Sequence, residues 1–295
     1  MRRLFRSFER FGVEYLLISG QAAILHGAAT FSEDVDIWIR PTPENVTRLL
    51  RALAACQARV YKLTPALTRQ NLMAGHGFHF VIPARPAPVY LDVMGKPPRV
   101  DSYRHARHRA EVVPTPWGRI QVIAIPDLIA LKRTRRLSDY EVISNLVQVR
   151  LAAERDPTPE IWRWAYRNSY RVEDRLEIAR RIGVRRSPAG LRRKILAEVA
   201  RLQADDAAYW RGIIADLRRL HRTRRLLADG TPVAHLHRCA ASRPARPPGL
   251  ISSNGRTHRH ERHVFHHAYG SRNLALPGQR RRNVCARGRK EREPG

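Results

Sequence analysis

The sequence predicts an α+β fold: a mixed β-sheet flanked by helices, then a small helical bundle, then a disordered basic tail. Three observations predict it. Over residues 1–135, short runs rich in Val, Ile, Tyr, Phe and Trp alternate with helical patterns. Over 136–228 only helical periodicity is present. Over 229–295 the chain is poor in aliphatic residues and rich in Arg, His, Pro and Gly, with no sustained period. Such a composition cannot bury enough apolar surface to offset the entropy of ordering it.

In the first part, VEYLLI (13–18), VDIWI (35–39), FHFVI (78–82), VYLDV (89–93) and IQVIAI (120–125) read as strands. A helix lies between the second and third. Thr42 is its expected N-cap, Pro43 suits the first helical position, and Glu44 complements the positive helix end. Val46, Leu49, Leu50 and Leu53 follow at helical spacing. In the second part, Ser138-x-x-Glu141 has the capping-box pattern and opens a helix through Leu151. Thr158-Pro159-Glu160 opens another, and Ser187-Pro188 a third that carries Leu191, Ile195, Leu196 and Val199. Asp205 or Asp206 precedes a long last helix through Leu227. Helices so spaced make a small bundle.

The formal net charge is +29, and both the patterned part and the tail contribute to it. Such a field attracts polyanions, nucleic acid and nucleotides above all. A coding bias towards arginine would produce the same charge with no polymer bound. No run approaches the roughly 18–20 apolar residues of a membrane span. The N-terminal MRRLFRSFERFG lacks the apolar stretch and cleavage site of a secretory signal, so the expectation is a cytoplasmic protein with no membrane partner. Cys56, Cys239 and Cys285 are scattered and form no CxxC pair, which argues against a disulfide framework or a zinc knuckle. Histidines 258, 260, 263, 266 and 267 of the tail are a compositional signal for metal and no more.

The chemistry concentrates in YLLISGQAAILHGAATFSEDVDIWIR (15–40). A buried strand runs into Gly20, a short helical segment follows, and the chain re-enters a strand near Asp34-Val35-Asp36-Ile37. Side chains alternate along a strand, so Asp34 and Asp36 share a face, with Cα atoms roughly 6–7 Å apart. Two such carboxylates can bracket Mg²⁺, a hard cation that takes oxygen ligands and also contacts phosphates. Asp92, inside VYLDVMG, is a third acid in an apolar run, costly there unless it meets solvent, a cation or a ligand. A salt bridge to Lys96 or Arg99 is the bland alternative. If its strand neighbours that of Asp36, the three acids converge, and Asp92 is placed to take a proton from an acceptor hydroxyl.

Gly20, the Asp34-x-Asp36 pair and Asp92 on a later strand resemble the DNA polymerase beta-type nucleotidyltransferase superfamily, most of all its bacterial minimal and AbiEii-like members. IPDLIALKRTRRLSDYEVI (125–143) resembles that family's closing helix pair. The resemblance covers about half the chain. It implies a mixed sheet flanked by helices and transfer of a nucleoside monophosphate from a nucleoside triphosphate, such as ATP, with Mg²⁺ as cofactor. The implied metal ligands are Asp34, Asp36 and Asp92, with Asp36 and Asp92 catalytic. The implied nucleotide-binding residues are Ser19, Gly20, Gln21, Ser32 and Lys132. The implied acceptor is an RNA or a protein hydroxyl, and the AbiEii-like members suggest a toxin–antitoxin setting with a cognate antitoxin-like partner.

The chain departs from the pattern at two places. Gln21 stands where relatives carry a small residue, and Thr30 where many carry an arginine that could clamp phosphate through two hydrogen bonds. These departures motivate a second reading, a catalytically silent module that binds nucleic acid or a partner protein. A third, an aminoglycoside-type transferase, sits poorly with a basic surface that repels cationic acceptors. The run Lys132-Arg133-x-Arg135-Arg136, with Arg180, Arg181, Arg185, Arg186, Arg192, Arg193 and Lys194, is either a solvated face or a grip for nucleic-acid backbone. Trp162, Trp164, Tyr166 and Tyr170 nearby are either bundle core or stacking surfaces.

Overall fold

A computed structural model describes residues 1–236. The chain runs α1 (Arg2–Arg10), β1 (Tyr15–Ile18), α2 (Ser19–Leu25), β2 (Val35–Ile39), α3 (Pro43–Ala55), β3 (Arg59–Val60), α4 (Arg69–Met73), β4 (Gly77–Ile82) and β5 (Val89–Met94). It continues with α5 (Tyr103–Arg109), β6 (Glu111–Thr115), β7 (Gly118–Val122), α6 (Ile125–Lys132), α7 (Leu137–Ala152), α8 (Pro159–Asn168), α9 (Val172–Arg181) and α10 (Pro188–Arg222). The seven strands form one mixed sheet in the order β3-β4-β5-β2-β1-β7-β6. β2 and β5 are parallel, as are β1 and β7; the other neighbours are antiparallel. Helices flank the sheet, as the alternating pattern predicts. Among the described residues no helix is long and apolar enough to cross a membrane.

The apolar runs form strands because their alternate residues have a core to enter. Leu16, Leu17, Val35, Ile37, Phe78, Phe80, Leu91 and Val93 are all buried. The helix over 43–55 starts as its sequence dictates, with the Thr42 hydroxyl accepting from the Asn45 N–H. Asn45 is itself buried and ties β1 to β2, accepting from the Glu14 N–H and donating to the Glu14 and Arg40 carbonyls. Cys56 is buried, a small apolar group at the end of α3.

Several elements differ from the sequence prediction. The N-terminal segment is a helix, α1, which buries Leu4, Phe5 and Phe8. Its arginines mask the stripe in composition, although the apolar residues recur at helical spacing. Strands β3 and β6 and helices α4, α5 and α9 were not foreseen; most are short, and β6 is largely exposed, so neither carries a clear alternation. Val13 and Glu14 lie before β1, and β7 ends at Val122, so that Ile125 opens α6 instead of ending a strand. Helix α7 begins at Leu137, two residues before the Asp139 start that Ser138 as a cap requires, and its cap position is Arg136.

The expected break near Asp205 or Asp206 is absent. Residues 188–222 are one continuous helix, capped by Ser187 accepting from Gly190. At about 1.5 Å per residue it spans roughly 50 Å. Asp206 lies on its buried stripe, between Leu202 and Ile213, because two arginines meet it there. Arg99 reaches one carboxylate oxygen at 2.8 Å, and Arg135 approaches the other through its backbone N–H at 3.1 Å and its guanidinium at 3.4 Å. Further on, Asp216 holds the buried His76 at 2.7 Å and Tyr209 donates to the Gly75 carbonyl. The helix thus joins the loop after α6 to the sheet edge. The chain then turns back along β3. Gly230 donates to Val60 O, Val60 to Thr231 O and Val233 to Ala58 O, and Val233 is buried. Residues 230–233, assigned by composition to the tail, therefore border the sheet edge, and the chain turns helical over 233–236. Histidines 258–267 and the rest of the predicted tail lie outside the described residues.

Asp206→Ala should leave Arg99 and Arg135 without their shared anion. Breaking a buried pair from one side costs about 3 kcal/mol. Urea unfolding should show a loss of that order, with Arg201→Ala, an exposed ion pair on the same helix, changing stability by about 0.5 kcal/mol or less.

Candidate active site

The site begins with strand register. β2 and β5 are parallel neighbours, and Asp36 stands directly opposite Asp92. On the other side of β5, His79 of β4 is paired with Asp92. One step beyond the β3 pairs, the Tyr61 N–H donates to the His79 carbonyl at 2.8 Å. Tyr61, just past the end of β3, and His79, Asp92 and Asp36 on the next three strands thus form one row, on the face opposite to buried Val35, Leu91 and Val93. Asp34 is not inside the strand as the sequence suggests; it lies in the bend just before β2 begins. Its carboxyl is nonetheless close enough for its charge to raise the proton affinity of Asp36, and for Asp92 to raise its own.

The electrostatics of the three acids differ. Burial, then the charges of Asp92 and Asp34, push the Asp36 carboxyl up to about 7, against the Ser19 hydroxyl that donates to it and the nearby Arg136. Burial and Asp92 also raise Asp34. Asp92 itself goes the other way. Burial alone would raise it, but His79, with its Nδ1 2.7 Å from Asp92 Oδ1, and Lys62 outweigh that and hold it below the usual carboxylate range. Asp92 therefore has His79 as its partner, not Lys96 or Arg99.

The loop leading into β2 packs against the start of α2. Ser19 sits in the left-handed region, at φ 58°, which costs energy for a residue with a Cβ. Gly20 is needed for close approach. A Cβ there would lie 2.3 Å from Ser32 Oγ and 2.8 Å from Ser32 Cβ. From the other side Gln21 Nε2 donates to the Ser32 carbonyl at 3.2 Å, and Ser32 Oγ donates to the Asp34 carbonyl. Ser19, Gly20, Gln21 and Ser32 are thus one cluster beside Asp34 and Asp36. Thr30 and Phe31 lie exposed on the same loop.

Lys132 is elsewhere employed. It is buried, and its ammonium lies 2.8 Å from Asp139. Asp139 also binds Thr134 Oγ1 and Arg136 Nε, which braces the turn between α6 and α7. The basic residue of that turn whose charge bears on Asp36 is Arg136. Arg136 belongs to the basic run seen in the sequence, but only the path of the turn shows which of its members faces the acids. His79 and Lys62 gave no sequence signal at all: one hides in an apolar strand and the other in a loop. His26 is part-buried and bonded to the Ile123 carbonyl, a structural role. Trp162, Trp164 and Tyr166 pack against the core, and Tyr170 lies within it.

Among the described residues no group of three or more His, Cys, Asp and Glu side chains is set to hold a metal ion unaided. Mg²⁺ in phosphoryl chemistry needs less, commonly one or two carboxylates plus substrate phosphates and water. The donor set fits such an ion: carboxylate oxygens, with Asp36 buried and crowded enough by Asp92 and Asp34 to retain its proton until about pH 7. No protein-family model matches the chain, and no curated protein matches it. Among solved structures it resembles ANT(2")-Ia in complex with adenylyl-2"-tobramycin, with a TM-score of 0.31 and 12% identity over 70% of this chain and 95% of that one. It also resembles JHP933 from Helicobacter pylori, with a TM-score of 0.35 and 10% identity over 73% and 94%. Likenesses so faint carry no functional weight, and the chemistry rests on the side chains.

Two outcomes are expected. A carboxyl whose folded pKa lies above its unfolded value weakens the fold as pH rises between the two, here from about 4 to about 7 for Asp36. In EDTA, Asp36→Asn should therefore gain Tm over the parent protein between pH 5 and pH 8; a gap that closes over that range would refute the raised proton affinity of Asp36. Gly20→Ala should destabilise by about 1–3 kcal/mol through overpacking, and Ser32→Gly should restore most of the loss in a double-mutant cycle.

Proposed function

We propose that the chain is a metal-dependent nucleotidyltransferase, moving a nucleoside monophosphate from a nucleoside triphosphate to a hydroxyl of an RNA or protein acceptor. The observation that carries this reading is the pairing of Asp36 with Asp92 on adjacent parallel strands, with Asp34 beside them. Asp34, Asp36 and Asp92 would hold Mg²⁺, which when bound neutralises polyphosphate charge and polarises the α-phosphorus. The Ser19–Gln21 cluster, with Ser32 packed on Gly20, is the surface assigned to the phosphates. Arg136 adds a cation on that side, and Lys132 acts through Asp139 by bracing the turn that carries it.

Asp92 has the lowered proton affinity of the three, and His79 fixes one of its oxygens. Its other oxygen is a weak base so held, and would take the hydroxyl proton only where the charge of a bound Mg²⁺ makes that hydroxyl more acidic. The acceptor oxygen forms a bond to the α-phosphorus, the bond from that phosphorus to the α,β-bridging oxygen breaks, and pyrophosphate leaves with the electron pair.

A silent binding module is favoured by one observation: the Gln21 amide is already committed to the Ser32 carbonyl where relatives leave open backbone. Incubation with each α-labelled nucleoside triphosphate, Mg²⁺ and total RNA, protein or kanamycin separates the readings. Label should enter RNA or protein, and Asp36→Ala or Asp92→Asn should reduce it about 100-fold or more. Salt-sensitive RNA binding with no incorporation, unchanged by Asp36→Ala, would establish the silent module; label on kanamycin would reassign the acceptor.

A further inference from the structure

Beyond Asp92, on the side of the sheet away from Gly20, lies an aromatic shelf that the transfer chemistry does not use. Tyr61 ends the row that contains His79, Asp92 and Asp36. Tyr90 lies on β5 two residues before Asp92 and so on the same face, roughly 6–7 Å along the strand. The two rings lie 5.0 Å apart, tilted by 41°. Both residues are half-buried, although their neighbours Val60 and Leu91 are buried on the opposite face. Lys62 stands with its ammonium 4.8 Å from the Tyr61 ring, and its charge reaches both Asp34 and Asp92.

We propose that Tyr61, Tyr90 and Lys62 form the acceptor subsite, which stacks the terminal base of a single-stranded nucleic acid. This rests on the transferase reading. Aromatic faces bind bases of any sequence, because every base presents a π-face. Lys62 supplies a cation for the terminal phosphate and repels a polycationic small molecule. Tyr61 lies two strand spacings, roughly 10 Å, from Asp92. One nucleotide spans that gap, so a base on the shelf presents its sugar hydroxyls to Asp92. The phosphate cluster at Ser19–Gln21 lies on the other side of Asp36, next to β1, which leaves the shelf to the acceptor and not to the incoming nucleotide. A net charge of +29 draws such a polymer to the protein.

The test uses the full chain with Mg²⁺ and no nucleoside triphosphate. The probes are short single-stranded RNA and DNA carrying 2-aminopurine as the 3′-terminal base, and the same sequences as blunt duplexes. Single strands should bind with a change in 2-aminopurine emission, and duplexes should not show that change. Tyr61→Ala and Tyr90→Ala should each weaken binding about tenfold and remove the emission change, whereas Tyr61→Phe and Tyr90→Phe, which keep the ring, should stay within about twofold. A preference for RNA or DNA identifies the polymer. Unchanged affinity and emission in both alanine variants, or equal behaviour of single strand and duplex, would overturn the shelf. Nucleotide transfer to RNA with tyrosine variants unaltered in acceptor KM sinks the subsite and spares the transferase. Ring-dependent stacking without transfer of any nucleotide sinks the transferase and spares the subsite.

Discussion

The parallel pairing of β2 with β5 places two carboxylates side by side, and much of the surrounding structure answers that placement. Adjacent strands lie about 4.8 Å apart, so like charges in register repel unless something intervenes. Around Asp36 the Ser19 hydroxyl and Arg136 are too little, and the group keeps its proton to about pH 7. Around Asp92 the balance is reversed by His79 and Lys62. The protein thus separates two chemically identical side chains into one that keeps its proton to about pH 7 and one held anionic. That division rests on burial at Asp36, on strand register, and on His79 of β4 and Lys62 of the loop after β3.

Each compensating group is held by something further out. Ser19 reaches Asp36 from a left-handed backbone position, and the loop at Ser32 packs on Gly20 with no room for a methyl group. Arg136 is carried by a turn whose shape depends on the buried Lys132–Asp139 pair. The same turn is anchored from outside, where Arg135 and Arg99 converge on Asp206 in the long helix. A buried ion pair is a poor source of stability in itself. Here two such pairs fix where a turn lies. The helical region is therefore part of the site's construction, although none of its helices carries an acid of the cluster.

Much of this was legible in the sequence, and the division between what was and what was not is physical. Strands with buried alternate residues showed themselves, as did caps whose hydroxyl precedes Pro or a helical run: Thr42, Thr158 and Ser187 all accept from the expected N–H. Asp34, Asp36 and Asp92 stood out because an acid among β-branched residues needs a reason. Ser138 misled because its spacing to Glu141 fits a capping box while the helix begins at Leu137. Asp205 and Asp206 suggested a helix start because a charge on an apolar stripe is improbable without partners, and those partners, Arg99 and Arg135, are remote in sequence.

His79 illustrates the limit most sharply. In FHFVI it reads as one more residue of a buried strand, and nothing local distinguishes it. Its role follows from two registers at once: β4 against β5 sets it opposite Asp92, and β5 against β2 sets Asp92 opposite Asp36. Neither register can be deduced from the strand sequences alone, since sliding either pairing by two residues would keep every apolar side chain inside. A two-residue slip of β5 would put Tyr90 or Met94 opposite Asp36 in place of Asp92, leaving the core patterned as before and the acids apart. Under the proposed transferase reading, the negative charge brought together here is what a bound cation and its polyphosphate would relieve.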